Sequence, residues 1–327
     1  MAGIIGIGNA LTDVMTRLSN YNVIIELAFP KGSMQLVDKN ALQKVLELIK
    51  EVPQTITSGG SAANTIHGLS KLGANTAFIG KVGSDKFGVF FSDDLKNSGI
   101  TPILLNSNNE SGCAIAMITP DSERTFAVHL GASVELTAND IKSDYFKGYN
   151  YFHIEGYLLQ NHELMLKATS EAKKDGLMVS LDLASFNVVE ENREFLHDFV
   201  KKYVDIVFAN EEEAKSYTGK SPEESLHVIA EECKIAIVKI GKEGSLIKSN
   251  GNVYKILPIK ANSIDTTGAG DLYASGFLYG LMKNLDFNKC GKIGSLLSGT
   301  VIETIGAKIS NEKWKELIEE VKKIENK

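Results

Sequence analysis

The segment Asp265-Thr266-Thr267-Gly268-Ala269-Gly270-Asp271, followed by LYASGFLYGLMK, combines small residues and carboxylates in an order suited to chemistry. Leu272, Phe277, Leu278 and Leu281 give the stretch after it an apolar helical face. Gly268 and Gly270 allow backbone angles closed to other residues and leave no side chain in the way. A small-residue loop that opens a helix turns backbone N–H groups outward, where the helix dipole also favours an anion. Asp271 falls in the first helical turn, placed to take a proton from a hydroxyl held against that anion. Charge stabilisation beside a carboxylate base is what phosphoryl transfer to an alcohol requires. The alternative is a glycine turn whose Asp only favours the start of a helix.

Four other places carry weaker signals of the same kind. Ser58-Gly59-Gly60-Ser61-Ala62-Ala63-Asn64 is a second turn-to-helix junction. Its paired glycines permit close approach of a ligand, and Asn64 offers a donor and an acceptor to vicinal hydroxyls; an ordinary Ser-capped helix is the competing reading. Gly8-Asn9-Ala10-Leu11-Thr12-Asp13 ends the first strand, at the ligand-binding edge of a parallel sheet, where Asp13 could accept from two sugar hydroxyls or simply sit in a turn. Asn210-Glu211-Glu212-Glu213 follows the strand VDIVFA. An Asn and an acid there could hold Mg²⁺ through water, while Glu211 and Glu212 read as a charged helix start. Gly241-Lys242-Glu243-Gly244 follows KIAIVKI and could let a loop lie against a nucleotide. No GxxxxGK[ST] loop occurs, and Gly3, Gly6 and Gly8 have the wrong spacing for a dinucleotide fingerprint.

The elements that must position these residues read as strand–helix alternation. GIIGIGNAL, NTAFIGKVG, MVSLDL, VDIVFAN and KIAIVKIG are short β-rich runs. Helical patterns lie between them: Asn40 capping Leu42, Val45, Leu46 and Ile49; Ser61 to Leu72, stopped by Gly73; and roughly 163–175, 190–202 and 221–232. Such alternation predicts an α/β fold, a mostly parallel sheet sandwiched by helices. Residues 22–38 and 100–130 break the pattern, reading as strands with turn signals. A small sheet drawn from about 14–38 and 100–130, standing off the main sheet as a lid, is one placement; an extension of the main sheet's edge is the other. No linker or repeat divides the chain, so residues 1–327 are expected to form a single domain.

Composition narrows the function class. Lys+Arg 35 against Asp+Glu 41 gives a net charge of −6, so a basic footprint for nucleic acid or anionic membrane is missing. No apolar run approaches the ~18–20 residues that span a bilayer. The N-terminus lacks a basic n-region and meets Asp13 early, unlike a signal peptide. Cys113, Cys233 and Cys290 show neither zinc spacing nor a disulfide framework, which points to a reducing cytoplasm.

Together the five places resemble the PfkB (ribokinase-like) family of carbohydrate and nucleoside kinases. GGSAANTIHGLSKLGANTAFIGKVGSDKFG is similar to the family's N-terminal signature and DTTGAGDLYASGFL to its C-terminal one. The resemblance implies a ribokinase-like α/β sandwich with a β-lid, and transfer of the ATP γ-phosphoryl group to a hydroxymethyl group. It implies Asp271 as base, with the N–H groups of Gly268, Ala269 and Gly270 as anion hole. Asn9, Asp13, Gly59, Gly60 and Asn64 would face substrate hydroxyls. Asn210, Gly241, Gly244 and Thr266 would serve ATP, and Glu213 would lie near Mg²⁺. Lys239 stands where many members have Thr, and could supply charge in place of a hydroxyl. Asp265 and Thr267 could contribute to a monovalent-cation (K⁺) site.

GNALTD and the tetrad Ser122 to Thr125, followed by HLGA, resemble the adenosine-kinase-like branch, which also contains sugar kinases. Arg124 would lie on the lid and reach substrate or phosphate, or else be a solvated hairpin residue. Phe29, Met34, Met117 and Phe126 are candidates for an apolar slot that a nucleoside base would need. The alternatives to a nucleoside-type kinase are a ribokinase- or fructokinase-type sugar kinase and a non-catalytic sensor; the latter is disfavoured because Asp271 and the loop glycines are all present. The expected partners are a small molecule and ATP, with a monomer or a homodimer formed through the lid.

Overall fold

The computed structural model describes residues 2–121 and 123–326. In chain order the strands are β1 (Gly3–Ile7), β2 (Leu11–Arg17), β3 (Met34–Leu36), β4 (Gln54–Gly59), β5 (Asn75–Gly83), β6 (Ile100–Ser107), β7 (Gly112–Ile118) and β8 (Arg124–His129). They continue with β9 (Tyr151–Glu155), β10 (Met178–Asp182), β11 (Ile206–Asn210), β12 (Ile235–Lys239), β13 (Ser245–Ser249) and β14 (Asn252–Ile256). The main sheet runs β14-β13-β12-β11-β10-β9-β1-β5-β6. It is parallel from β12 to β6, and β13 and β14 add antiparallel at one edge.

Both faces of this sheet are buried, which is why its strands read as unbroken apolar runs. Successive residues serve opposite layers. Ile5, Phe152 and Val207 join a core with the helices His162–Lys174, Arg193–Tyr203, Glu211–Thr218 and Pro222–Glu232. Ile4, Phe208 and Ile237 join a second core with Ser61–Lys71, Lys86–Asn97, Ala269–Met282, Phe287–Val301 and Asn311–Glu325. The helix expected over 190–202 is two helices, Phe186–Glu191 and Arg193–Tyr203. The helix expected to be capped by Asn40 starts at Lys39, and Asp38 caps it by accepting from the Ala41 N–H at 2.8 Å.

A second sheet has the order β3-β8-β7-β2-β4 and backs onto the helices Asn22–Leu27 and Lys39–Leu48 through Val14, Ile24, Leu42, Val45, Ile115 and Met117. Its composition differs from the one expected. Ile100–Ser107 does not belong to it: β6 follows the Lys86–Asn97 helix after a tight turn at Gly99 and returns parallel to β5 at the main sheet's edge. A strand–helix–strand unit with so short a return places its second strand beside the first. Asn22–Leu27 is a helix that buries Ile24, because a run of adjacent apolar residues fits a short helix as well as a strand. β2, of which residues 14–17 lie within the expected lid, pairs with β4, unread in the sequence, through Leu11↔Gly59 and Asp13↔Thr57. Gly112–Ile118 and Arg124–His129 do fall in this sheet, while Ile100–Ser107 extends the main sheet's edge.

Candidate active site

The parallel strands end on one edge, and that edge collects polar side chains that would be costly elsewhere in so apolar a sheet. Glu155 ends β9, Asp182 ends β10, Asn210 ends β11 and Lys239 ends β12. The loop after β14 leads to Gly268, whose left-handed backbone (φ 76°) starts the helix Ala269–Met282. A Cβ on Gly268 would lie 2.5 Å from that of Ala307, so the turn closes only with glycine. The Ala269 N–H bonds the Thr266 carbonyl, and the Leu272 N–H bonds Gly268. Among the described residues the N–H groups of Gly270 and Asp271 have no partner, and no side chain caps this helix. The result is an open donor pair at a helix N-terminus.

Asp271 stands beside it. Its Oδ1 accepts from the Ser61 hydroxyl at 2.7 Å and its Oδ2 from the Asn64 amide at 3.0 Å. Burial pushes this carboxyl up to about 6; the two donors pull against burial, Asp182 adds to it and Lys239 opposes it. Lys239 donates to Asp182 at 2.9 Å. Burial works against its ammonium, but Asp182 and Glu213 outweigh that and raise it. A Cβ on Gly270 would lie 2.9 Å from the Lys239 ammonium, so the glycine lets a positive charge rest on the turn.

Asp13 faces the same cleft from β2. Burial pushes it up to about 7, Lys308 opposes and Asp271 adds to the rise. A cleft of about 1010 Å³ runs from Asp13, Gly60, Ser61 and Asn64, past Gly268 to Asp271, to Asn210, Lys239, Gly241, Gly244 and Thr266. Most of the residues singled out in the sequence therefore meet in one place.

Several of them do something more specific than expected. Asn64 gives its amide to Asp271, while its Oδ1 is buried and unpartnered. Gly59 does not line the cleft; it makes room, since a Cβ there would fall 2.2 Å from Asp13 Oδ2. Asn9 does not line it either: its N–H donates to Glu155 at 2.8 Å. Gly60 (φ 92°) holds the turn, a Cβ at this position lying 2.3 Å from the Asn9 carbonyl. Asn210 and Glu213 form a reciprocal helix cap, in which Asn210 Oδ1 accepts from the Glu213 N–H at 2.9 Å. Glu213 in turn accepts from the Asn210 N–H at 2.8 Å and from its amide at 2.6 Å. Burial raises Glu213 to about 7, Lys239 opposing and Asp182 adding.

Arg124 sits on the rim rather than in the cleft. It pairs with Asp265 and donates to Thr267 Oγ1 at 3.0 Å. Asp265 also accepts from the N–H groups of Thr267 and Gly306, each at 2.8 Å. Burial would raise Asp265, but those N–H groups and Arg124 hold it below the usual carboxylate range. The side-chain oxygens considered for a monovalent cation are thus engaged in bonds within the protein. Among the described residues no group of three or more His, Cys, Asp or Glu could hold a metal by itself. Asn210 and Glu213 line the cleft with their side-chain polar atoms engaged in the cap they form on each other.

Phe29, Met34, Met117 and Phe126 do not line the cleft; Met117 is buried in the core behind the second sheet and Met34 is exposed. Ser122 lies outside the described residues. Sequence reading took Ser61 only as part of a turn or as a helix cap, whereas Gly60 holds the cap position, and it passed over Glu155, Asp182 and Lys308. Glu155 accepts from the N–H groups of Asn9 and Ala62 (2.8 and 2.9 Å), joining both substrate-side turns, and burial raises it to about 7. An acid closing an otherwise apolar strand was the available signal for Glu155 in YFHIE and Asp182 in MVSLD.

Residues 34–314 match the pfkB family of carbohydrate kinases. A 5-dehydro-2-deoxygluconokinase of Clostridium botulinum is 33% identical over 263 residues, 75% of this chain and 78% of that protein. Among solved structures, a probable sugar kinase from Rhizobium etli superposes with a TM-score of 0.85 at 33% identity, covering 98% of both chains. An adenosine kinase from Sinorhizobium meliloti also gives a TM-score of 0.85, at 29% identity, covering 98% of this chain and 99% of that one.

Proposed function

The chain belongs to the pfkB family of carbohydrate kinases, and from that premise we propose that it moves the ATP γ-phosphoryl group to a hydroxymethyl group of a small sugar or nucleoside, with Asp271 as general base. The observation that carries this reading is the Asp271 carboxylate, held by Ser61 and Asn64 beside the open N–H groups of Gly270 and Asp271. The acceptor oxygen bonds to the γ-phosphorus as its proton passes to Asp271, and ADP departs with the electrons of the broken P–O bond. A carboxyl at about 6 is ionised at neutral pH yet basic enough to accept that proton. The helix N-terminus and the Lys239 ammonium face the charge that develops. Mg²⁺ carried by the nucleotide would add charge neutralisation, with Glu213 meeting its water shell. The nucleotide would lie along Asn210, Gly241, Gly244 and Thr266, and the acceptor beside Asp13 and Gly60. The second sheet, which carries Asp13, would act as the lid.

The acceptor end is lined by Asp13, Gly60, Ser61 and Asn64, and none of the four apolar candidates for a base slot reaches it. Polar closure of this kind favours a free sugar or sugar acid over a nucleoside. A coupled ADP-release screen over sugars, 5-dehydro-2-deoxygluconate and nucleosides tests both levels. Turnover with a sugar or sugar acid is expected; turnover with nucleosides alone would overturn the sugar preference, and ADP release with none of them would count against the kinase reading itself.

A further inference from the structure

We propose that Asp182 is a positioning residue for phosphoryl transfer: its carboxylate holds the Lys239 ammonium against the anion turn at Gly270 and leaves the base, Asp271, to Ser61 and Asn64. This rests on the reading of Lys239 as a charge that faces the transferred group.

Asp182 and Lys239 end β10 and β12, with β11 between them. The parallel register sets Asp182 beside Phe208 and Lys239 beside Asn210. Residues two apart on a strand share a face, so both side chains lie on the face of Phe208. That ring meets Phe277 of the helix Ala269–Met282 edge-on, centroids 5.6 Å apart, so the pair sits under the start of the same helix. Neighbouring strands are ~4.8 Å apart, and a lysine stem is long enough to cross the end of β11 and bring its ammonium to Asp182 Oδ2 at 2.9 Å. The side chains of Lys239 and Asp182 are only 15% and 6% exposed, and both line the cleft.

Asp182 is fixed from its other side as well. Its Oδ1 accepts from the Ala184 N–H at 3.1 Å. Ala184 lines the cleft with a left-handed backbone (φ 65°) that alanine seldom adopts. The Ser185 N–H bonds the Leu183 carbonyl across this turn at 2.8 Å, and the Leu183 N–H bonds Phe208 at 3.0 Å. A carboxylate tied to a fixed backbone donor cannot follow a mobile lysine, so the lysine comes to it.

Lysine carries a point charge on a flexible stem, and its partners decide where that charge rests. Among the described residues Asp182 is the carboxylate within ion-pair distance of Lys239. There the ammonium occupies the space beside Gly270 where a Cβ would fall 2.9 Å from it. It adds a full charge next to the open N–H groups of Gly270 and Asp271. An ammonium released from Asp182 would be free to pair with Asp271, and a paired base is a spent one.

The test is a double-mutant cycle in the full chain, with kcat and acceptor KM read on the sugar or sugar acid that gives the fastest ADP release. Lys239→Met should lower kcat by ~10²–10³-fold, the loss typical of one preorganised donor. Asp182→Asn keeps the acceptor for Ala184 and should lower kcat by about 10-fold or more, as contacting residues couple, with acceptor KM unchanged. In Lys239→Met the bare Asp182 charge only repels phosphate, so adding Asp182→Asn should cost nothing further or restore some kcat. In ligand-free protein the Lys239 ammonium ¹⁵N resonance, assigned by its loss in Lys239→Met, should show faster proton exchange with water in Asp182→Asn. If Asp182→Asn does not fold, Asp182→Glu decides: it keeps the charge but moves it by a methylene, and kcat should still fall. Multiplied losses in the double variant, an unmoved ammonium resonance, or full kcat in Asp182→Asn or Asp182→Glu overturns the proposal. Wild-type kcat in Lys239→Met would instead overturn the reading of Lys239 on which it rests.

Discussion

Asp271 owes its usefulness to neighbours from a helix more than two hundred residues away in sequence, since Ser61 and Asn64 fix both of its oxygens. Those donors keep it ionised and aimed, while burial keeps it basic. Asp271→Asn should lower kcat by ~10²–10⁴-fold or more with melting temperature and ATP binding preserved. A variant turning over near the wild-type rate would reduce Asp271 to a helix-start residue. The base works as a carboxylate, so kcat/KM should fall as pH drops through about 6. Asp13→Ala should act differently. A charged hydrogen bond is worth roughly 1.5–3 kcal/mol, so the acceptor KM should rise by about 10–150-fold while the ATP KM moves little. Equal rises in both, with a fall in melting temperature, would mean that Asp13 only stabilises the turn.

At the scale of elements, two motifs carry a structural duty besides the one proposed for them. Asn210 and Glu213 close the start of the helix Glu211–Thr218 on each other. Glutamine keeps the bond from the Asn210 N–H and loses the one from the Asn210 amide, so Glu213→Gln removes the charge while leaving the backbone part of the cap. It should raise the Mg²⁺ concentration needed for activity beyond what a modest fall in melting temperature accounts for; an unchanged Mg²⁺ titration would leave Glu213 as a cap alone. Arg124 ties β8 of the second sheet to the start of the anion turn through Asp265 and Thr267. Arg124→Gln should speed amide exchange in 124–129 and 265–268 while β9 to β12 keep their protection. Equal protection in both regions would mean that this clasp does not order the turn.

Across the whole molecule, several buried carboxyls share one edge of the sheet. Asp13, Glu155 and Glu213 are raised to about 7 and Asp271 to about 6, in each case first by burial. Their folded values lie above their unfolded ones, so the stability they contribute is complete below about 4 and is lost as pH rises through about 7. Buried His67 and His153 run the other way, costing stability as pH falls below 6.5. Lys308 acts in a higher window, between about 8 and the ordinary lysine value of 10.5. Between pH 8 and 6.5 the carboxyls dominate, so the melting temperature of ligand-free protein should rise as pH falls across that interval. The rise should be smaller in Asp13→Asn, and a melting temperature that falls instead would contradict these burial effects.

The sequence by itself determined the alternating strands and helices, the glycine turn before Asp271 and the candidates Asp13, Gly60, Lys239 and Gly244. Strand periodicity, helix faces and turn chemistry act over a few residues, so a local pattern records them. It left open which strands share a sheet: β6 went to the main sheet and β4 to the second, because pairing is decided by how connections return in space. It left open the direction of side chains, so Asn64 turned to Asp271, Gly59 became the room for Asp13, and Phe29, Met34, Met117 and Phe126 stayed out of the cleft. Ser61, Glu155, Asp182 and Lys308 acquire meaning only when burial strips away water and distant charges come to face one another. That is a property of the packed molecule, with no counterpart in residue spacing.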